Sequence, residues 1–281
     1  MKYKIYQSYY KDSHVAFLNP EFVAFDNRTN PHPELREYYV ALQVRDLAHR
    51  AGLDMWGILS PTWNRKLYGI TAGDIIKHID SNPGYDVYFF DAFTEQMIRG
   101  YNVWEQGSWY HPDIVDVVEA GFTAMGLDLK YLHQPMGRDL VFSNCYCIGT
   151  RDFWDGYLDL VTKFLDSITN WSEQDQTKLF GPSQYGLEPD LWYFPFVQER
   201  LYSTFLLMQK SRFRVKPYHL NESYHAAQYK DLYNLKEQAI SKGDPALLEQ
   251  WRQQRMLIQD GPDWAKHWIK EFDPELSNVQ N

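Results

Sequence analysis

A chain of 281 residues with a formal net charge of −9 can bury a sizeable core, so it suits one large domain, or one domain with an appendage. No basic block offsets the acidic balance, which excludes nucleic acid as a first partner. Cys145 and Cys147 stand one residue apart in an apolar run; that spacing fits neither a disulfide framework nor a structural zinc site, and it predicts reduced, buried thiols. Met1 to Tyr6 has no apolar signal segment and no apolar run approaches bilayer-spanning length, so a cytoplasmic protein, at most peripheral at the inner membrane face, is expected. Aromatic residues make up 17% of the chain, and rings with polar edges suit either carbohydrate faces or an ordinary core.

In chain order, residues 2–9 alternate and predict a first strand, and Val15 to Phe25 follow as loop and short strand. Asp26 to Pro33 is rich in turn formers. From Glu34 to Ala51 apolar residues recur at helical spacing. Met55 to Leu59 is a buried strand, Thr71 to Ile79 a helix with a Thr cap, and Asp86 to Phe90 a third strand ending against Asp91. Pro112 to Met125 is helical in pattern, Leu140 to Ile148 a strand, and Arg151 to Ile168 a helix. Beyond a polar loop, Leu191 to Met208 reads as loop followed by apolar helix, and Arg212 to Pro217 as a last strand. Alternating strands and helices predict a mixed α/β sheet flanked by helices over residues 1–218. From about His219 to Asn281 the composition shifts to helix formers, broken at Lys242 to Pro245, which predicts a helical C-terminal extension with the potential to form a homo-oligomer.

Four clusters carry candidate chemistry. Asp26 and Asn27 either hydrogen-bond a base or ribose or form an Asx turn. Arg65 and Lys66, after the MWGIL strand, either neutralise a diphosphate or are a solvated basic turn. Asp91 either caps the next helix or faces a ligand at the C-terminal end of a central strand; Trp104, Glu105 and His111 follow it in a stretch expected to be rich in loops. Glu199 and Arg200 are helix neighbours that do not face each other, so each needs its own partner. The G-x-G-x-x-G, P-loop, H-E-x-x-H and G-x-S-x-G patterns are absent.

The succession KIYQSYY, FDN-x-x-N-P-x-P-E-L-R-E-Y, WGILSPTWNRKLYGIT, YDVYFFDAF, VWEQGSWYHPDI, FSNCYCIGTRDFW and FVQERLYSTFL resembles bacterial polysaccharide-type glycosyltransferases with a GT-A-like fold, over residues 2 to about 215. The resemblance implies a hexosyltransferase-like enzyme with a nucleotide-sugar donor in the N-terminal half and a glycan or lipid-linked glycan acceptor entering from the C-terminal half. Asp26, Asn27, Arg65, Lys66 and Arg200 are then the donor-binding candidates, Trp104 and Glu199 the acceptor side, and Asp91, Glu105 and His111 the catalytic groups. The acidic motif expected near the donor diphosphate and a divalent metal (Mg or Mn) reads Asp91-Ala92-Phe93 instead of D-x-D, which leaves Asp91 a lone metal ligand. The rival expectation is a non-catalytic carbohydrate-binding or scaffold protein on the same fold.

Overall fold

The computed structural model describes residues 1–67, 69–91, 98–142, 144–182, 192–209, 211–219 and 222–257, with only the backbone for residues 219 and 222–228. Ala92, Phe93 and the tail beyond residue 257 therefore lie outside the described residues. A six-stranded sheet has the order β2-β1-β3-β5-β4-β6, where β1 is Tyr3–Tyr9, β2 Val23–Asp26, β3 Met55–Leu59, β4 Val87–Asp91, β5 Cys147–Thr150 and β6 Val215–His219. β1 is parallel to β2 and β3, β4 is parallel to β6, and β5 lies antiparallel between β3 and β4. All strands but β5 therefore end at the same edge of the sheet, which is where an α/β crevice forms.

The flanking helices are α1 (Arg36–Arg50), α2 (Trp63–Lys66), α3 (Ala72–Ser81), α4 (Val103–Ser108), α5 (Ile114–Ala124), α6 (Lys130–His133), α7 (Arg151–Asp166), α8 (Glu173–Leu179) and α9 (Phe194–Met208), followed by a hairpin of α10 (Glu222–Lys242) and α11 (Pro245–Arg255). β3 and β4 are buried at every position, as strands covered on both faces must be. α3 starts where expected: the Thr71 hydroxyl accepts the Asp74 N–H at 3.1 Å and the Asp74 carboxylate accepts the Thr71 N–H at 2.9 Å, a reciprocal cap. The aromatic excess goes largely into the core. Trp56 stacks on Trp154 with centroids 4.1 Å apart, and the Trp154 indole N–H donates to the Trp56 carbonyl at 2.7 Å. Tyr157 and Tyr202 stack at 3.9 Å, and the Gln198 amide donates to the Tyr157 hydroxyl at 2.7 Å.

Several boundaries differ from the sequence pattern. The strand expected over Leu140–Ile148 begins only at Cys147, because Asn144 replaces ladder bonds with its side chain: its Nδ2 donates to the Phe90 carbonyl at 3.0 Å and its Oδ1 accepts the Tyr146 N–H at 2.8 Å. The last strand shifts from Arg212–Pro217 to Val215–His219. α8 occupies the polar loop, started by Ser172, whose hydroxyl accepts the Asp175 N–H at 3.1 Å. The region after Asp91, expected to be loop, contains α4. Its signal is Asn102, whose Oδ1 accepts the N–H groups of Trp104 at 3.0 Å and Glu105 at 2.9 Å.

After β6 the described residues of the C-terminal segment form the helices α10 and α11, and the rest of the expected extension lies outside the described residues. Asp244 caps α11 by accepting the Ala246 N–H at 2.9 Å. Leu232 and Trp251 of the hairpin pack with Ile98 in a second, smaller apolar cluster. Both cysteines are free and buried. Among the described residues, no helix is long and apolar enough to cross a membrane.

Candidate active site

The edge where the parallel strands end opens into a cleft of about 170 Å3 between β1, β2 and the start of α1, lined by Ser8, Asn27, Arg36 and Glu37 among others. Asn27 is fixed there because its N–H extends the β1–β2 pairing by donating to the Tyr9 carbonyl at 2.8 Å. Its side chain is buried, and among the described residues no donor reaches Oδ1. A buried acceptor without a partner costs about 1–3 kcal/mol, which a ligand N–H or O–H bound in the cleft would offset. Arg36 enters α1 with φ of 42°, a strained backbone for a residue with a Cβ, and its guanidinium lies 5.7 Å from the Tyr10 ring centroid.

Asp26, next to Asn27, is engaged otherwise. Its carboxylate accepts from the Arg28 N–H at 3.1 Å and from Arg28 Nε at 2.9 Å, an Asx turn closed by an ion pair, and these bonds hold the carboxyl well below the usual range. The donor-binding expectation therefore passes from Asp26 to Asn27.

Glu37 connects the cleft to a group of ionisable side chains at the ends of β3, β4 and β5. Lys66, exposed on α2, faces Tyr146, Glu199, Glu37 and Cys145, which hold its ammonium above the ordinary lysine range. Burial raises the Tyr146 phenol and the Cys145 thiol, while Glu199 and Glu37 bring two carboxyl groups to face Lys66. The Tyr146 hydroxyl shares a 2.6 Å hydrogen bond with Ser60 at the end of β3. Burial pushes the Glu199 carboxyl up to about 7; Lys66 and Arg200 oppose the rise, while Glu37 and Asp91 add to it. Asp91, 1% exposed, is the last residue of β4 rather than the first beyond it. In the sequence Glu37 and Arg36 look like the polar face of an amphipathic helix.

Other sequence candidates are committed to structure. Trp104 is buried, and its indole N–H donates to the Thr204 hydroxyl at 2.9 Å, so it packs in the core instead of presenting a face to a sugar. Glu105 accepts both Nη groups of Arg255, at 2.6 and 2.8 Å, and the Tyr101 N–H; this arrangement makes it an anchor for the hairpin in place of a proton acceptor. His111 stacks on Phe196 at 3.9 Å, and burial together with Arg200 pushes its imidazole down to about 3, too weak a base for general-base work at neutral pH. Arg65 is exposed on α2.

Arg200 is buried and donates to the Val103 carbonyl at 3.1 Å, the Phe196 carbonyl at 2.9 Å and the Gln106 side-chain oxygen at 2.8 Å. It thus fixes α9 against α4, so its contribution to the site is long-range charge and not a diphosphate contact. The two helix neighbours do have separate surroundings, Glu199 toward Lys66 and Arg200 toward α4. Gly107 is dictated by this packing, since a Cβ there would lie 2.4 Å from Arg200 Nε and 2.9 Å from its Cδ. Gly107→Ala is expected to destabilise the protein by about 1–3 kcal/mol through overpacking, measured by urea unfolding.

Among the described residues, no group of three or more His, Cys, Asp or Glu side chains is arranged to hold a metal ion. Asp91 alone does not make the multi-oxygen shell a hard divalent cation needs. No protein-family model matches the chain, and neither a curated protein nor a solved structure matches it.

Proposed function

We propose that this chain is a glycosyltransferase with a GT-A-like fold that moves a sugar from a nucleotide-sugar donor to a glycan acceptor. The observation that carries the reading is the continuity, through Glu37, of a small polar cleft at the strand ends with a charged group containing an exposed ammonium and a carboxyl titrating near neutrality. The nucleoside occupies the Asn27 cleft, with a base or ribose donor satisfying Oδ1. The diphosphate lies toward Arg36 and Lys66, whose positive charges offset the negative charge that grows on it as the glycosidic bond breaks.

Glu199, as carboxylate, accepts the proton of the attacking acceptor hydroxyl while that oxygen bonds to the anomeric carbon. The electron pair of the broken C–O bond leaves with the nucleoside diphosphate. A direct displacement of this kind inverts the anomeric centre. Asp91, beside Glu199, faces the donor sugar and accepts from its hydroxyls.

A thermal-shift panel of nucleoside diphosphates and nucleotide sugars tests the reading, because a ligand that binds the native state raises its apparent stability. Lys66→Ala should weaken nucleoside diphosphate binding by about tenfold or more, roughly 1.4 kcal/mol, whereas Arg65→Ala should leave it within about twofold. Equal losses by calorimetry would show that Lys66 has no special place in the site, and an absence of any nucleotide shift would remove the donor.

A further inference from the structure

The hairpin of α10 and α11 holds a run of consecutive backbone groups. The Trp251 indole donates to the Ile98 carbonyl at 3.1 Å, Arg255 Nη1 to the Arg99 carbonyl at 2.9 Å, and Lys236 Nζ to the Gly100 carbonyl at 2.6 Å. The Tyr101 N–H is bound by Glu105, which Arg255 holds in a bidentate pair. Lys236 is 1% exposed; a buried ammonium is costly to place in a contact that only fills space. Its Nζ and the Arg255 guanidinium lie 5.3 and 4.5 Å from the Trp251 ring centroid, so the donors form one unit.

These contacts secure the start of α4, and the opposite side of α4 is tied to α9. Gln106 and Val103 accept from Arg200, and Trp104 donates to Thr204. α4 is therefore held between the hairpin and the helix that carries Glu199, and the Arg200 fork beside Glu199 rests largely on α4. We propose that Trp251, Lys236 and Arg255 are positioning residues for Glu199: by fixing α4 they fix Arg200, and with it the burial and field around the neighbouring carboxyl. The inference rests on the glycosyltransferase reading only in taking Glu199 as the reacting carboxyl.

The test uses the full chain and needs no sugar donor. In Arg255→Gln and Trp251→Phe, backbone amide exchange over Val103–Ser108 is measured together with the Glu199 titration, followed by carboxyl 13C NMR. Exchange in α4 should accelerate about tenfold or more as local opening becomes easier. The Glu199 midpoint should fall by about half a pH unit or more as its desolvation is relieved, while Lys66, Arg200, Glu37 and Asp91 remain as its charged neighbours.

A melting temperature that falls while the Glu199 midpoint stays fixed would reduce the hairpin to a structural prop and overturn the proposal. Unchanged α4 exchange would overturn it equally. Should Arg255→Gln fail to fold, Trp251→Phe decides, since it deletes one N–H donor and keeps an aromatic ring. A shifted Glu199 titration in a protein that binds no nucleotide sugar would support the positioning role and sink only the transfer reading.

Discussion

Glu199→Gln is expected to lower sugar transfer by about 10²–10⁴-fold, the range general-base catalysis contributes, while leaving the protein at least as stable as the parent at neutral pH and above. Both halves follow from the same surroundings. The folded carboxyl is raised from an ordinary value of 4.5 to about 7, chiefly by burial. Between those values the folded state binds more protons than the unfolded state, so stability falls as pH rises through that window. The charge that makes Glu199 a base thus works against the fold, and the neutral amide removes that strain.

Transfer by the parent should increase with pH up to about 7 and then level off, because the ionised form is the active one. The activity profile and the melting temperature should therefore move in opposite directions between pH 5 and 7, read by initial rates and thermal unfolding across the same buffers. A Gln variant that keeps near-parent rates returns Glu199 to a structural role, and one that melts lower than the parent above pH 7 contradicts the assigned burial. The opposition between stability and activity at a single side chain is what a functional site predicts, and a structural ion pair would show the reverse.

What the sequence reveals about this site depends on how local each signal is. MWGIL and VYFFD announce two central strands because strands buried on both faces need apolar residues at every position, so Lys66 and Asp91, which follow or end those strands, can be found by counting. Glu37 and Arg36 escape the same reading: they sit in the first turn of a helix with ordinary spacing, and only the folding of α1 across the ends of β1 and β2 brings them into the cleft.

Trp104 and Glu105 mislead in the opposite direction. Gly107 beside them weakens helix propensity locally, yet Asn102 caps the segment and Arg200, far away in the chain, packs over Gly107 to make it α4. Tertiary contact decides that helix, and with it the assignment of an indole to the core and of a carboxylate to Arg255. The antiparallel placement of β5 is equally invisible in a window of sequence, since an apolar run carries no direction.

Asp91→Asn is expected to lose transfer by orders of magnitude with little change in melting temperature, and to lower the Glu199 midpoint at the same time. Asp91 ends β4 in register with His219 of β6, so its backbone is held by the sheet, and an amide of the same size fits the same space. What the substitution removes is charge. Asp91 is one of the groups that raise Glu199, and deleting a like charge lets the neighbouring carboxyl ionise more readily.

Asp91 acts electrostatically on Glu199, so a response of Glu199 to a change at residue 91 is the signature of a shared site, which a helix cap would not produce. Carboxyl NMR on the variant reads the midpoint, and initial rates with the donor identified by thermal shift read the transfer. If the rate survives and the Glu199 midpoint stays where it was, Asp91 serves β4 alone. If the midpoint falls while the rate survives, the pair is coupled but the sugar is held by other groups, and the role proposed for Asp91 in gripping the donor is lost.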